Sequence, residues 1–255
     1  MRYALISDVH ANLPALEAVL DDIRGRAGVD GTWHLGDLVG YAPWPNETVA
    51  LLRDRGIQGV CGNYDSTVAT DYEHCGCRYE DPRQEELAHA SYEWTRRHVS
   101  PETKRYLCSL PFRLDLRPLG GHLPGPRVIL VHGTPTLNTL YWTEDRSDSF
   151  CLQMAGHAGA RAGDTVCFGH THRPWHRVVE GIHFVNTGSV GRPKDGDWRA
   201  GYVLLETDER GGVAGVEFVR VEYDLQHAVD GILRSGLADE FAAYLQSGGK
   251  SLTLE

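Results

Sequence analysis

Five short apolar runs in this 255-residue chain each stop at a polar side chain able to hold a metal ion, and that recurrence narrows the folds open to it. "YALIS" leads to Asp8 and His10, "WHLG" to Asp37, "GVCG" to Asn63, "VILV" to His132 and "VCFG" to His170 and His172. Between the early runs lie helical patterns. In "NLPALEAVLDDIRGR", Leu16, Val19, Leu20 and Ile23 recur at helical spacing, and "NETVALLRDRG" offers Asn46 as N-cap and Gly56 as stop. Strands alternating with helices predict an α/β fold with a largely parallel, buried sheet. Ligands of such sheets bind at the carboxyl ends of strands, so these five ends are expected to converge.

From about Thr67 to Ser109 the strand signals give way to two helical segments, "RQEELAHASYEWTRRHV" and "SPETKRYLCSL", expected as a helical insertion beside the sheet. "FRLDL", "RVILV" and "TVCF" then read as strands. "HRVVEGIHFV" and "GYVLLETDERGGVAGVEFVRVEY" read as hairpins, so the second half is expected to be more antiparallel. A C-terminal tail, about 225–247, reads as two short helices split by Gly236. No repeat or low-complexity segment divides the chain, and one domain over 1–255 accounts for it.

A 41% hydrophobic content supports a substantial core. The net charge of −10 argues against a broad nucleic-acid-binding surface, since phosphate neutralisation supplies most of that affinity. The N-terminal apolar run is too short for a signal or a membrane span, which places the chain in the cytoplasm with no membrane partner; a homo-oligomer is left open. Six scattered cysteines are expected as reduced thiols. "HCGC" (74–77) lacks the usual structural-zinc spacing. The 13 histidines invite a metal reading.

Each motif alone is weak: "GD" is usually a turn, and a lone His after a strand is usually a surface residue. "GHTH" is firmer, because alternate residues leaving a strand point the same way. Together the side chains form a mixed nitrogen and oxygen set suited to Mn²⁺, Fe, Ni or Zn²⁺, with Mn²⁺ favoured. An Asp shared by two such ions would give the arrangement that clamps a phosphoryl group.

The series "DVH", "GDLVG", "GNYD", "VHG" and "GHTHRP" resembles the signature of the calcineurin-like metallophosphoesterases, and "NTGSVGRPKDG" is similar to their small YfcE-type phosphodiesterase branch. The resemblance implies a four-layer sandwich of two mixed sheets flanked by helices. It implies one divalent ion on Asp8, His10, Asp37 and His172, and a second on Asp37, Asn63, His132 and His170, with Asp37 bridging. The family's chemistry is in-line attack on phosphorus by a metal-bound hydroxide. A phosphodiesterase acting on a small or nucleotide-like ester is the leading expectation. A phosphomonoesterase or protein phosphatase would use the same metals, and a metal-free protein-binding scaffold of this fold is the third possibility.

Many relatives carry His where this chain has Tyr64, paired with the following acid to protonate the leaving oxygen. Tyrosine is the weaker proton donor, so Tyr64 is expected to mark a preference for diesters, with Asp65 orienting its hydroxyl or capping the loop. Asn12 is expected either near the substrate or as a helix cap. Arg192 and Lys194 are candidates for phosphate contact beside a plain reading as loop charges. His34 is expected to face the sheet interior.

Overall fold

The computed structural model describes residues 1–77, 81–117 and 125–250; residues 78–80 of the expected insertion, and His122, lie outside these. Two five-stranded mixed sheets stack face to face. The first has the order β10-β9-β1-β2-β3 and the second β4-β5-β6-β8-β7. β1 (Arg2–Ile6), β2 (Gly31–His34) and β3 (Gln58–Gly59) are parallel, connected through α1 (Leu13–Gly25) and α2 (Pro45–Asp54). β9 (Ala200–Thr207) and β10 (Val213–Val221) complete the sheet as an antiparallel pair.

In the second sheet β5 (Val128–Leu130), β6 (Thr165–Phe168) and β8 (Ile182–Asn186) are parallel. β4 (Leu114–Leu116) and β7 (Trp175–Val179) are the antiparallel edges. β1 shows why the central strands read as unbroken apolar runs. Tyr3 and Leu5 enter the core between the sheets, with Leu35, Val60, Leu130, Cys167 and Val185, while Ala4 and Ile6 pack under the helices. A strand buried on both faces has no polar positions to alternate with. Trp142, stacked on Phe168 at 4.3 Å, anchors the outer core of the second sheet.

The expected helical segment forms as α4 (Pro82–His98) and α5 (Pro101–Ser109), and the tail as α7 (Leu225–Ser235) and α8 (Glu240–Gln246), with Gly236 left-handed between them. Three details differ from expectation. Asn46 is not the N-cap of α2: Pro45 takes the first helical position behind Trp44, and the Asn46 carboxamide instead bridges His98 O and Ser100 N at 2.9 Å each. "NYD" begins a short helix, α3 (Asn63–Ala69). Helix α6 (Asp148–Ala158) was not expected; Ser147 caps its start and left-handed Gly159 ends it.

His34, expected to face the sheet interior, is fully buried but shares the helix-covered face of the sheet with its register partner Ile6, while the next residue, Leu35, enters the core between the sheets. Neither ring nitrogen has a hydrogen-bond partner among the described residues.

Candidate metal centre

All seven expected ligands lie in loops leaving the carboxyl ends of β1, β2, β5 and β6, or at the start of α3 after β3, and all are buried. Two groups form within ligand distance: Asp8, His10 and His172, and Asp37, His132 and His170. Asp37 Oδ2 lies between them, 3.7 Å from His10 Nε2 and 3.4 Å from His132 Nε2. Asp8 Oδ1 stands 3.2 Å from His172 Nε2, and Asn63 Oδ1 stands 3.1 Å from His132 Nε2.

Five of these residues have left-handed backbones: Asp8, His10, Asp37, His170 and His172 all have φ between 47° and 64°. Each such residue costs about 1–3 kcal/mol and persists only where its surroundings impose it. What imposes it is visible. Asp8 Oδ2 accepts from Ser7 Oγ and from His170 N, tying the β1 loop to the β6 loop. The Asp65 carboxylate accepts from Asp37 N and Leu38 N at 2.8 Å and from Gly62 N at 2.9 Å, tying the β2 loop to α3. The loops also approach closely at two glycines. A Cβ on Gly62 would collide with Asp37 Oδ1, and one on Gly169 with Ser7 Oγ and Asp8 Oδ2.

The outward ring nitrogens are fixed by backbone carbonyls. Nδ1 of His10, His132 and His172 meets Val39 O, Leu35 O and Arg192 O respectively, which presents each Nε2 to the centre. His170 is held by the Thr139 backbone and its Nε2 has no hydrogen-bond partner among the described residues; Asp8 Oδ1 accepts no hydrogen bond there either and faces only the ring nitrogens of His172 and His10, at 3.2 and 3.7 Å. Buried acceptors left open in this way, beside neutral imidazoles, suit a cation. Burial, reinforced by neighbouring positive groups, pushes His10 and His170 down to about 3 and His172 well below its ordinary value. Burial also opposes a proton on His132, but the Asp37 carboxylate outweighs it and lifts the group to about 10.

The remaining expected residues divide. Asn12 serves the fold: its Oδ1 accepts from Ala15 N to cap α1, and its Nδ2 donates to Gly191 O at 2.9 Å. Arg192 and Lys194 line the pocket over the ligands, and burial, aided by Arg192, lowers the Lys194 ammonium to about 8. Tyr64 also lines it, edge-on to His10 at 5.6 Å, with its hydroxyl directed to Ala88 O. The Asp65 carboxylate is taken up by three backbone donors, so of its two expected roles it performs the loop-binding one.

"HCGC" sits at the same centre. Asn63 Nδ2 donates to Cys75 O at 3.0 Å and to Cys77 Sγ at 3.1 Å, which turns Oδ1 toward His132. Its position directly after the ligand loop was a signal available in the sequence. Tyr41 also lines the pocket, directly after "GDLVG", whereas Tyr141, stacked on His170 at 4.4 Å, and the pocket residues Phe241 and Tyr244 had no such signal, because no motif surrounds them.

Residues 1–210 match the family described as the calcineurin-like phosphoesterase superfamily domain. An uncharacterised protein of Methanocaldococcus jannaschii is 31% identical over 257 residues, covering 92% of this chain and 93% of its own. The structure of a metallophosphoesterase from Sphaerobacter thermophilus, also 31% identical, superposes with a TM-score of 0.73 over 97% of this chain and 99% of that one. The fold is shared with a hypothetical protein of Pyrococcus horikoshii OT3, with TM-score 0.81 and 22% identity over 98% and 99% of the two chains. The E. coli phosphoesterase YfcE has the same fold more distantly, with TM-score 0.50 and 21% identity over 87% and 100%. The family match spans most of the length and agrees with the ligand geometry: this chain belongs to the calcineurin-like phosphoesterase superfamily.

Proposed function

We propose that the protein is a metal-dependent phosphodiesterase that hydrolyses a small phosphate ester at a two-ion centre. Asp8, His10, Asp37 and His172 hold one divalent ion. Asp37, Asn63, His132 and His170 hold the other, with Mn²⁺ the favoured metal for this donor set. The observation that carries the reading is the position of Asp37 Oδ2 within 3.7 Å of a histidine from each group, as a shared ligand requires. When bound, the ions supply an activated water and neutralise charge developing on phosphorus.

The chain's own residues orient the ester. Arg192 and Lys194 bring positive charge to the phosphate oxygens, and the aromatic walls exclude water. Tyr64 stands where an imidazole would serve as proton donor. Burial pushes its hydroxyl well above the usual phenol range, so it donates a hydrogen bond rather than a proton, which favours diesters with good leaving groups. A cytoplasmic setting accompanies this reading: no disulfide joins the six cysteines, and no described helix is long and apolar enough to cross a membrane.

The test is metal content after chelator-free purification, with turnover of methyl p-nitrophenyl phosphate and p-nitrophenyl phosphate in Mn²⁺. Two ions per chain and faster diester hydrolysis are expected, both abolished by Asp37→Ala. Faster monoester turnover overturns the diester preference. Full activity in Asp37→Ala overturns the shared ligand.

A further inference from the structure

The walls that close the pocket over the centre come from two helices away from the ligand loops. α4 contributes Leu87 and Ala88, and α8 contributes Phe241 and Tyr244. α8 lies beyond residue 210, outside the segment that matches the family. The two helices are fastened to each other and to the ligand loops. Arg83 of α4 pairs with Glu240 of α8, and Trp94 Nε1 of α4 donates to Ser235 O at 3.0 Å. Phe241 meets Tyr41 edge-on at 5.5 Å, and the Arg192 guanidinium lies between the rings of Tyr41 at 3.9 Å and Tyr244 at 4.0 Å.

The space left inside is about 50 Å³. A cavity needs roughly 10–15 Å³ of this kind of volume per water, so the pocket has room for about four water-sized atoms. Between the walls that accommodates a phosphoryl group and a small substituent; anything larger must project through the side that is open to solvent. A p-nitrophenyl leaving group exceeds this volume and would project through the open side, so the group that stays on phosphorus is the one the walls would contain.

We propose that Phe241 and Tyr244 of α8, together with Leu87 of α4, set substrate size: the site accepts phosphate esters whose retained substituent is only a few atoms long and disfavours nucleotides. This rests on the phosphoesterase reading for where phosphorus sits, and it decides between the small and the nucleotide-like esters that the sequence left open. The helices act as specificity residues rather than catalytic ones, because they touch the substituent and leave the ligands alone.

Binding of the two products separates this from catalysis. Calorimetry on the Mn²⁺-loaded full chain is expected to show methyl phosphate binding at least about tenfold more tightly than thymidine 5′-monophosphate, with Phe241→Ala narrowing the gap to about threefold or less. Turnover of methyl p-nitrophenyl phosphate against thymidine 5′-(p-nitrophenyl phosphate) should move in the same direction. If Phe241→Ala fails to fold, Tyr244→Ala, at a half-buried position, and Leu87→Ala on the α4 wall make the same comparison. Equal binding of the two products by the wild type, or a gap unchanged by opening either wall, overturns the size filter even where hydrolysis is intact. Selective binding without turnover of any ester supports the filter and overturns the proposed activity instead.

Discussion

Acidification from pH 7 to pH 5 should destabilise the protein through one residue that takes no part in the centre. His34 is fully buried, both its ring nitrogens lack partners among the described residues, and burial lowers its pKa from 6.5 to about 3. Above pH 6.5 the ring is neutral in folded and unfolded chains alike, so it has no effect on stability. Below 6.5 the unfolded chain binds a proton that the folded chain refuses, and stability falls until the folded pKa is reached. Between pH 7 and pH 5 the loss integrates to about 2 kcal/mol, or about 4–8 °C in Tm for a chain of this size. Other groups titrate over the same range, so the measurement is a double difference. Thermal or urea unfolding of wild type and His34→Leu at both pH values should show the wild type losing about 2 kcal/mol more than the variant. Parallel losses in the two proteins would refute the reasoning, because they would mean that the folded state binds the His34 proton as readily as the unfolded one.

Three further outcomes test the centre. Tyr64→His should raise the ratio of p-nitrophenyl phosphate to methyl p-nitrophenyl phosphate turnover; an unchanged ratio means Tyr64 does not select diesters. Asp65→Ala leaves Asp37 N, Leu38 N and Gly62 N without their acceptor. At about 1–3 kcal/mol per orphaned donor, urea unfolding should show at least about 3 kcal/mol lost, with a parallel loss of bound metal. Gly169→Ala drives a methyl into Ser7 and Asp8 and should lower metal content to less than half by elemental analysis, while far-UV circular dichroism stays close to wild type.

The strand ends were legible because parallel strands buried on both faces leave unbroken apolar runs, and the first polar residue after each run marks where it surfaces. Asp8, Asp37 and His132 are all found this way. α6 was missed because Gly156 and two alanines, Ala155 and Ala158, dilute its apolar stripe, and only Ser147 and Gly159 mark its ends. Asn46 was misplaced because two adjacent residues competed to begin α2, and the ring of Pro45 is already set to a helical angle. The pocket walls were illegible for a different reason. Tyr41 and Phe241, or Arg192 and Tyr244, meet only through the packing of segments far apart in the chain, and although Arg192 lies in a motif and Tyr41 beside one, Phe241 and Tyr244 carry no local pattern.

The left-handed backbones at five ligands bear on how the centre comes into being. If the ions themselves imposed that geometry, the loops would have little else holding them. Instead Asp65 and Asp8 fix the loops through backbone N–H groups, and backbone pairs such as Asp8 N to Gly36 O and His10 N to Asp37 O, both 3.0 Å, add to this. The strain is therefore offset by contacts that need no ion, and the ligands are arranged in advance. Binding then requires little reordering of the chain. Metal removal should accordingly leave hydrogen-exchange protection at Asp37 N, Leu38 N and His170 N within about threefold of the loaded protein. Wholesale loss of protection at those three amides would show that the ions build the loops, and would reverse the order of cause drawn from their geometry.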